Sequence, residues 1–101
     1  MNISNNVSSL QANQLFMNNN ANNIANINRD SFIPTNTTMT NNGDSVTAES
    51  QLAENTGSQK SQTDLAKEIA DQITIDGVAK ANVTAIKAQD DVMGTLLDLK
   101  A

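Results

Sequence analysis

Residues 1–28 read MNISNNVSSLQANQLFMNNNANNIANIN, and the choice of fold turns on them. The stretch holds no Asp, Glu, Lys or Arg, yet its apolar residues are periodic. Ile3, Val7, Leu10, Met17, Ala21 and Ile24 follow alternating steps of four and three, with Gln14 in the single gap. An apolar repeat of about 3.5 residues is that of a helix seated against other helices. Ala12, Leu15, Phe16, Ala25 and Ile27 widen the stripe beyond a two-stranded seam, and Asn fills most of the remaining faces. Asn is a mediocre helix former, because its short amide competes for backbone groups. Periodicity and propensity agree if the segment is weakly structured alone and becomes helical when packed.

The other end of the chain carries a second helix pattern, from about Ser61 to Lys100. Leu65, Ile69 and Ile73 form one stripe. Ala79, Val83, Ile86, Met93 and Leu97 form another on four–three steps, with Asp90 in its gap. Ser61-x-x-Asp64 reads as a capping box, and Lys67/Asp71, Asp76/Lys80 and Lys87/Asp91 stand at i,i+4 spacing. Gly77, between the stripes, is a place for a kink or a break. Residues 33–61, IPTNTTMTNNGDSVTAESQLAENTGSQKS, hold the only Pro and are dominated by Thr, Ser, Asn and Gln. Asn42-Gly43 is a turn signal and Val46-Thr47 a scrap of strand, but no matching strand precedes them, so a flexible connector is favoured over a β-hairpin. The expected fold is therefore all-α. Two long terminal helices pack as a coiled-coil-like hairpin that folds on assembly, divided into 1–32, an irregular polar linker 33–61, and 62–101.

Composition narrows the chemistry. Among 101 residues there is no His, Cys, Trp or Tyr, and Phe16 and Phe32 are the only aromatics. Thiol nucleophiles, disulfides, zinc-finger spacing and imidazole acid–base work are excluded. A net charge of −5, with six scattered Lys and Arg, argues against a nucleic-acid surface. No apolar run approaches the ~20 residues of a membrane span, and the start lacks the basic and apolar regions of a cleavable signal. Asp90-Asp91 is the only adjacent acidic pair, and its side chains diverge by about 100° on a helix. It reads as a solvated face, with Asp90 either fixing register against a neighbouring chain or lying beside a stripe that shifts to Val92 and Leu96. The four Met are dispersed and the four Gly isolated, which leaves no metal cluster and no phosphate loop. No enzyme activity, cofactor or metal is expected.

Both termini carry a recognisable pattern. Ala21-Asn22-Asn23-Ile24-Ala25-Asn26-Ile27-Asn28, followed by Phe32, resembles the "ANNIANxNTxGF" signature of bacterial flagellar rod and hook proteins. The second pattern begins at Leu65-Ala66-Lys67-Glu68, continues through Ala81-Asn82 and Ile86-Lys87, and ends with Asp90-Asp91-Val92-Met93-Gly94-Thr95-Leu96-Leu97-Asp98-Leu99-Lys100. It is similar to the C-terminal signature of the same family. Two departures stand out. Ser31 replaces the signature glycine, and Asp76-Gly77-Val78-Ala79-Lys80-Ala81-Asn82 replaces an aromatic "QRAYEAN" segment. The resemblance implies a short member, similar to the small proximal rod proteins, whose terminal helices form the innermost (D0) layer of an axial tube in the basal body. It also implies export through the flagellar type III apparatus without a cleaved signal, and contact with its own copies and other rod or hook proteins. The alternative is a helical adaptor or accessory protein of rod assembly. Stripe residues Ile3, Val7, Leu10, Met17, Ala21, Ile24, Ile69, Ile73, Val83, Ile86, Met93, Leu96 and Leu97 are the expected subunit interface. Asn22, Asn23, Asn26, Phe32, Asn82 and Asp90 join them there.

Overall fold

A computed structural model describes residues 3–100, with side chains through Asp98. The element order is α1 (Ile3–Ala25), β1 (Thr35–Asn41), β2 (Val46–Leu52) and α2 (Leu65–Lys100). The all-α expectation is thereby corrected, because a two-stranded antiparallel sheet occupies most of what reads as an irregular linker. The alternation was there but lacked large apolar residues. Thr35, Thr37 and Met39 are half-buried, while Asn36, Thr38 and Thr40 face solvent. Threonine is β-branched and suits a strand without announcing a core.

The register runs from Thr35↔Leu52 to Asn41↔Val46. Asn42 N–H donates to the Ser45 carbonyl at 2.8 Å, and the Asn41 side chain accepts from Gly43 N–H at 2.9 Å. Gly43 sits at φ 87, in the left-handed region where glycine is unstrained. Ala53 N–H donates to the Pro34 carbonyl at 2.9 Å. With bonds at both 34/53 and 42/45, ladder alternation makes 36/51, 38/49 and 40/47 the hydrogen-bonded pairs. Residues 35, 37, 39 and 41 of β1, and 46, 48, 50 and 52 of β2, therefore turn their backbone groups outward.

α1 lies between the hairpin and α2 and packs against both. The second helix is continuous through Gly77, and its 36 residues make it about 54 Å long. Its N-terminus differs from the expected capping box: Asp64, next to the first helical residue, accepts from Lys67 N–H at 3.3 Å, and Ser61 Oγ accepts instead from Thr63 N–H. Between α1 and β1, Ser31 N–H donates to the Gln59 carbonyl at 2.8 Å, and Gln62 N–H to that of Phe32 at 3.0 Å. Ser31 adopts φ 61, the left-handed conformation usually left to glycine. The molecule is a rod of 67 × 22 × 14 Å.

Candidate assembly interface

The interior is unusual in its chemistry. Ala12 and Ile75 are the buried hydrophobic residues, whereas Asn13, Asn20, Asn23 and Glu68 are buried polar ones. Asn13, Asn20, Glu68 and Ile75 build the seam between the antiparallel helices. Asn20 Nδ2 donates to the Glu68 carbonyl at 2.8 Å and to Glu68 Oε2 at 2.7 Å. Asn13 Nδ2 donates to the Ile75 carbonyl at 2.9 Å, and Asn82 Nδ2 to Ser9 Oγ at 2.9 Å. The steps Asn20 to Asn13 and Glu68 to Ile75 to Asn82 are sevens, so the seam has a coiled-coil period carried largely by amides. Gln89 is the next step; its Nε2, like Asn5 Oδ1, is buried and unbonded.

Asn23, 1% exposed, joins three elements. Its Nδ2 donates to Glu68 Oε1 at 3.0 Å and to the Thr35 carbonyl at 2.9 Å, while Oδ1 accepts from Thr35 N–H at 2.9 Å. Its own carbonyl accepts from Thr63 Oγ1 at 3.0 Å. Farther along α1, Asn19 Nδ2 donates to Thr37 Oγ1 and Ser50 Oγ, and Ser8 Oγ both accepts from Val46 N–H and donates to its carbonyl. Asn23 thus reaches the outer edge of β1 and Ser8 that of β2, which makes α1 cross the hairpin diagonally. Buried amides and carboxylates must be paired, and Asn13, Asn20, Asn23 and Glu68 all have partners.

The sequence-derived stripe lies elsewhere. At about 100° per residue, the line through Ile3, Val7, Leu10, Met17, Ala21 and Ile24 runs roughly 120° around α1 from the mean direction of its buried residues Ala12, Asn13, Asn20 and Asn23. Ile3, Val7, Met17 and Ala21 are exposed, and Leu10 and Ile24 half-buried. On α2, Ile69, Ile73, Val83, Met93, Leu96 and Leu97 are exposed, Leu97 at 62%, while Ile86 is half-buried. A groove of about 500 Å³ brings Leu10, Met17 and Ala21 beside Ile75 and Ala79. A second, of about 440 Å³, gathers Ile3, Val92, Met93 and Leu96 around Gln89 and Asp90, so α2 runs on past the described start of α1. Asp90 is exposed at its rim.

The polar candidates divide. Asn23 turns inward and Asn82 serves the seam, while Asn26 bonds back to Asn22 one turn earlier. Asn22 is exposed, and Phe32 is half-buried. Sequence reasoning passed over Asn13, Asn20 and Glu68. Their only signal was spacing by seven, which hydropathy does not score. Charge does little work on the surface: Lys67–Asp71 and Lys80–Asp76 are i,i+4 pairs at 2.8 and 2.9 Å, and the Asp71 hydrogen bond raises the Lys67 pKa above its ordinary value. Among the described residues no group of three or more Asp or Glu gathers to hold a metal, and no helix is long and apolar enough to cross a membrane. Comparison with family models, with curated proteins and with solved structures finds no match.

Proposed function

We propose that this chain is a non-catalytic structural subunit of a flagellar rod-type axial assembly, joining its neighbours through the apolar outer faces of α1 and α2. One observation carries the reading: among the described residues the buried side chains are mostly polar, while most of the large apolar side chains on α2 are exposed. Val92, Met93, Leu96 and Leu97 are each more than half exposed. Completing their burial is worth about 1 kcal/mol apiece, or about 4 kcal/mol, which is driving force left for association. Contiguous exposed apolar surface of this kind marks interaction sites. Contacts between different faces of successive copies generate an open helical polymer rather than a closed ring.

The terminal sequence patterns supply the flagellar part of the proposal, and Ser31 adds to it. The position where the resembled signature carries glycine is the non-glycine residue with positive φ among the described residues. In this reading the subunit is exported through the flagellar type III apparatus and sits in the basal body beside other rod or hook proteins.

The test is Leu97→Asp in the native host. An exposed site tolerates the change with little cost to the fold. The variant is expected to be exported yet absent from purified hook–basal bodies. Stoichiometric incorporation with normal swimming would refute the axial role. A soluble one-to-one complex with a single assembly protein would instead establish the adaptor alternative.

A further inference from the structure

We infer that the outer edge of β1 is a docking edge for a second copy of itself, forming a two-fold pair of chains through a four-stranded sheet. The inference goes beyond the axial reading, since it uses the hairpin and not the helix faces.

Of the four outward positions on β1, Thr35 is occupied on both its N–H and its carbonyl by the Asn23 amide. Thr37, Met39 and Asn41 keep outward N–H and C=O groups, and no backbone partner takes them among the described residues. Three positions centred on Met39 are self-complementary. A second β1 laid antiparallel pairs 37 with 41, 39 with 39 and 41 with 37, which satisfies six groups on each chain. The Asn23 cap fixes this register, because sliding toward Thr35 would run the incoming strand into an occupied position.

The edge also lacks the features that keep strands apart. Natural edges are guarded by Lys, Pro, bulges or inward charges. Residues 35–41, TNTTMTN, contain no charge and no Pro, and the register with β2 is unbroken. In the proposed pairing Thr38 faces Thr40 across the exposed face, a favourable cross-strand combination with no like charges opposed. The free edge of β2 is the poorer choice, since pairing it with itself sets two Glu49 carboxylates at diagonal positions. The hairpin is already supported by α1, and two added strands extend that sheet while pairing backbone groups otherwise left to water. The pair is closed by its two-fold axis, so it is a species distinct from an open polymer.

The chain has no Cys, so introduced thiols report contacts cleanly. Thr38→Cys and Thr40→Cys single variants of the full chain, mixed and mildly oxidised, are expected to give a mixed disulfide dimer exceeding either homodimer. Positions 38 and 40 form a non-hydrogen-bonded pair, where side chains approach most closely. Leu97→Asp added to both leaves the dimer unchanged, so failure of the axial reading does not remove it. Met39→Pro added to both abolishes it: the Met39 N–H points outward, and its loss spares the hairpin's own ladder. Absence of the mixed dimer overturns the inference. So does preferential cross-linking of Thr40→Cys with Glu49→Cys, which is the signature of a head-to-tail sheet.

Discussion

Replacing Asn23 with Ala tests whether the buried amides hold this fold together. The substitution removes three side-chain hydrogen bonds, two to Thr35 and one to Glu68. At about 1 kcal/mol net each, their loss costs about 3 kcal/mol. Thr35 lies at a strand edge where water can replace the amide in part. Glu68, at 2% exposure, has no such relief, and Asn20 still satisfies only its other oxygen. Leaving a buried acceptor unmade raises the expected total to about 3–5 kcal/mol, a large share of the ~5–15 kcal/mol typical of a domain. The neighbouring Asn22→Ala is the control. It is exposed, it only accepts from Asn26 one turn away, and it is expected to move stability by less than about 0.5 kcal/mol. Urea unfolding, followed by far-ultraviolet circular dichroism with trimethylamine N-oxide present to favour the compact state, reads both. An Asn23→Ala midpoint within error of wild type, or equal losses at both sites, would refute the reasoning.

Two further substitutions probe the local physics. Ser31→Gly relieves a left-handed backbone that costs a side-chain-bearing residue about 1–2 kcal/mol, partly offset by the greater freedom of an unfolded glycine. The net is expected to be a stabilisation of about 0.5 kcal/mol, seen as a rise of about 2–4 °C in Tm, while Ser31→Ala gives no such gain. Asn13→Leu removes a bond to the Ile75 carbonyl, a group that keeps its place in the helical backbone ladder, and so leaves no orphan behind. It is expected to stabilise the helix pair by about 1 kcal/mol through apolar burial; a midpoint loss worth more than about 1.5 kcal/mol would show the amide itself to be required.

The sequence shows its helices plainly and their inner faces hardly at all. The stripe from Ile3 to Ile24 identifies α1 because its period is helical whichever way it faces. Apolar periodicity is ordinarily taken to mark the buried side, and here the buried side is Asn13, Asn20 and Asn23 with Ala12. An amide earns burial only through partners distant in sequence, such as Glu68, 45 or more residues away. Hydropathy carries no record of such partners. The hairpin was hidden for a related reason: Thr37 and Ser50 face α1 with hydroxyls, so the alternation that marks a strand never rises above the polarity of the segment. Gly77 reads as a breaker yet sits in an unbroken helix. Nothing lies within 4 Å of where its Cβ would be, and a single exposed glycine costs only about 1 kcal/mol within a long helix.

The division of labour between the two faces of α1 follows from what each interaction can do. Hydrogen bonds are directional: a shift of α1 along α2 by one turn would strip Asn20 and Asn23 from Glu68 and Asn13 from Ile75, each loss leaving buried groups unpaired. Such a seam fixes register and orientation while adding modest net stability. Apolar contact is the reverse, rewarding area and tolerating many partners. A chain that spends its amides on setting the helix pair and keeps Met17, Ile73, Val83 and Leu97 at its surface arrives as a rod of fixed register. In the axial reading proposed above, its largest unspent free energy lies in meeting a neighbour. Leu97→Asp acts on that unspent part and Asn23→Ala on the seam. The first should abolish assembly at unchanged monomer stability, and the second should lower monomer stability without adding charge to the outer face. If instead both variants lost assembly and stability in equal proportion, the two faces would not be separable and the assignment of roles would fall.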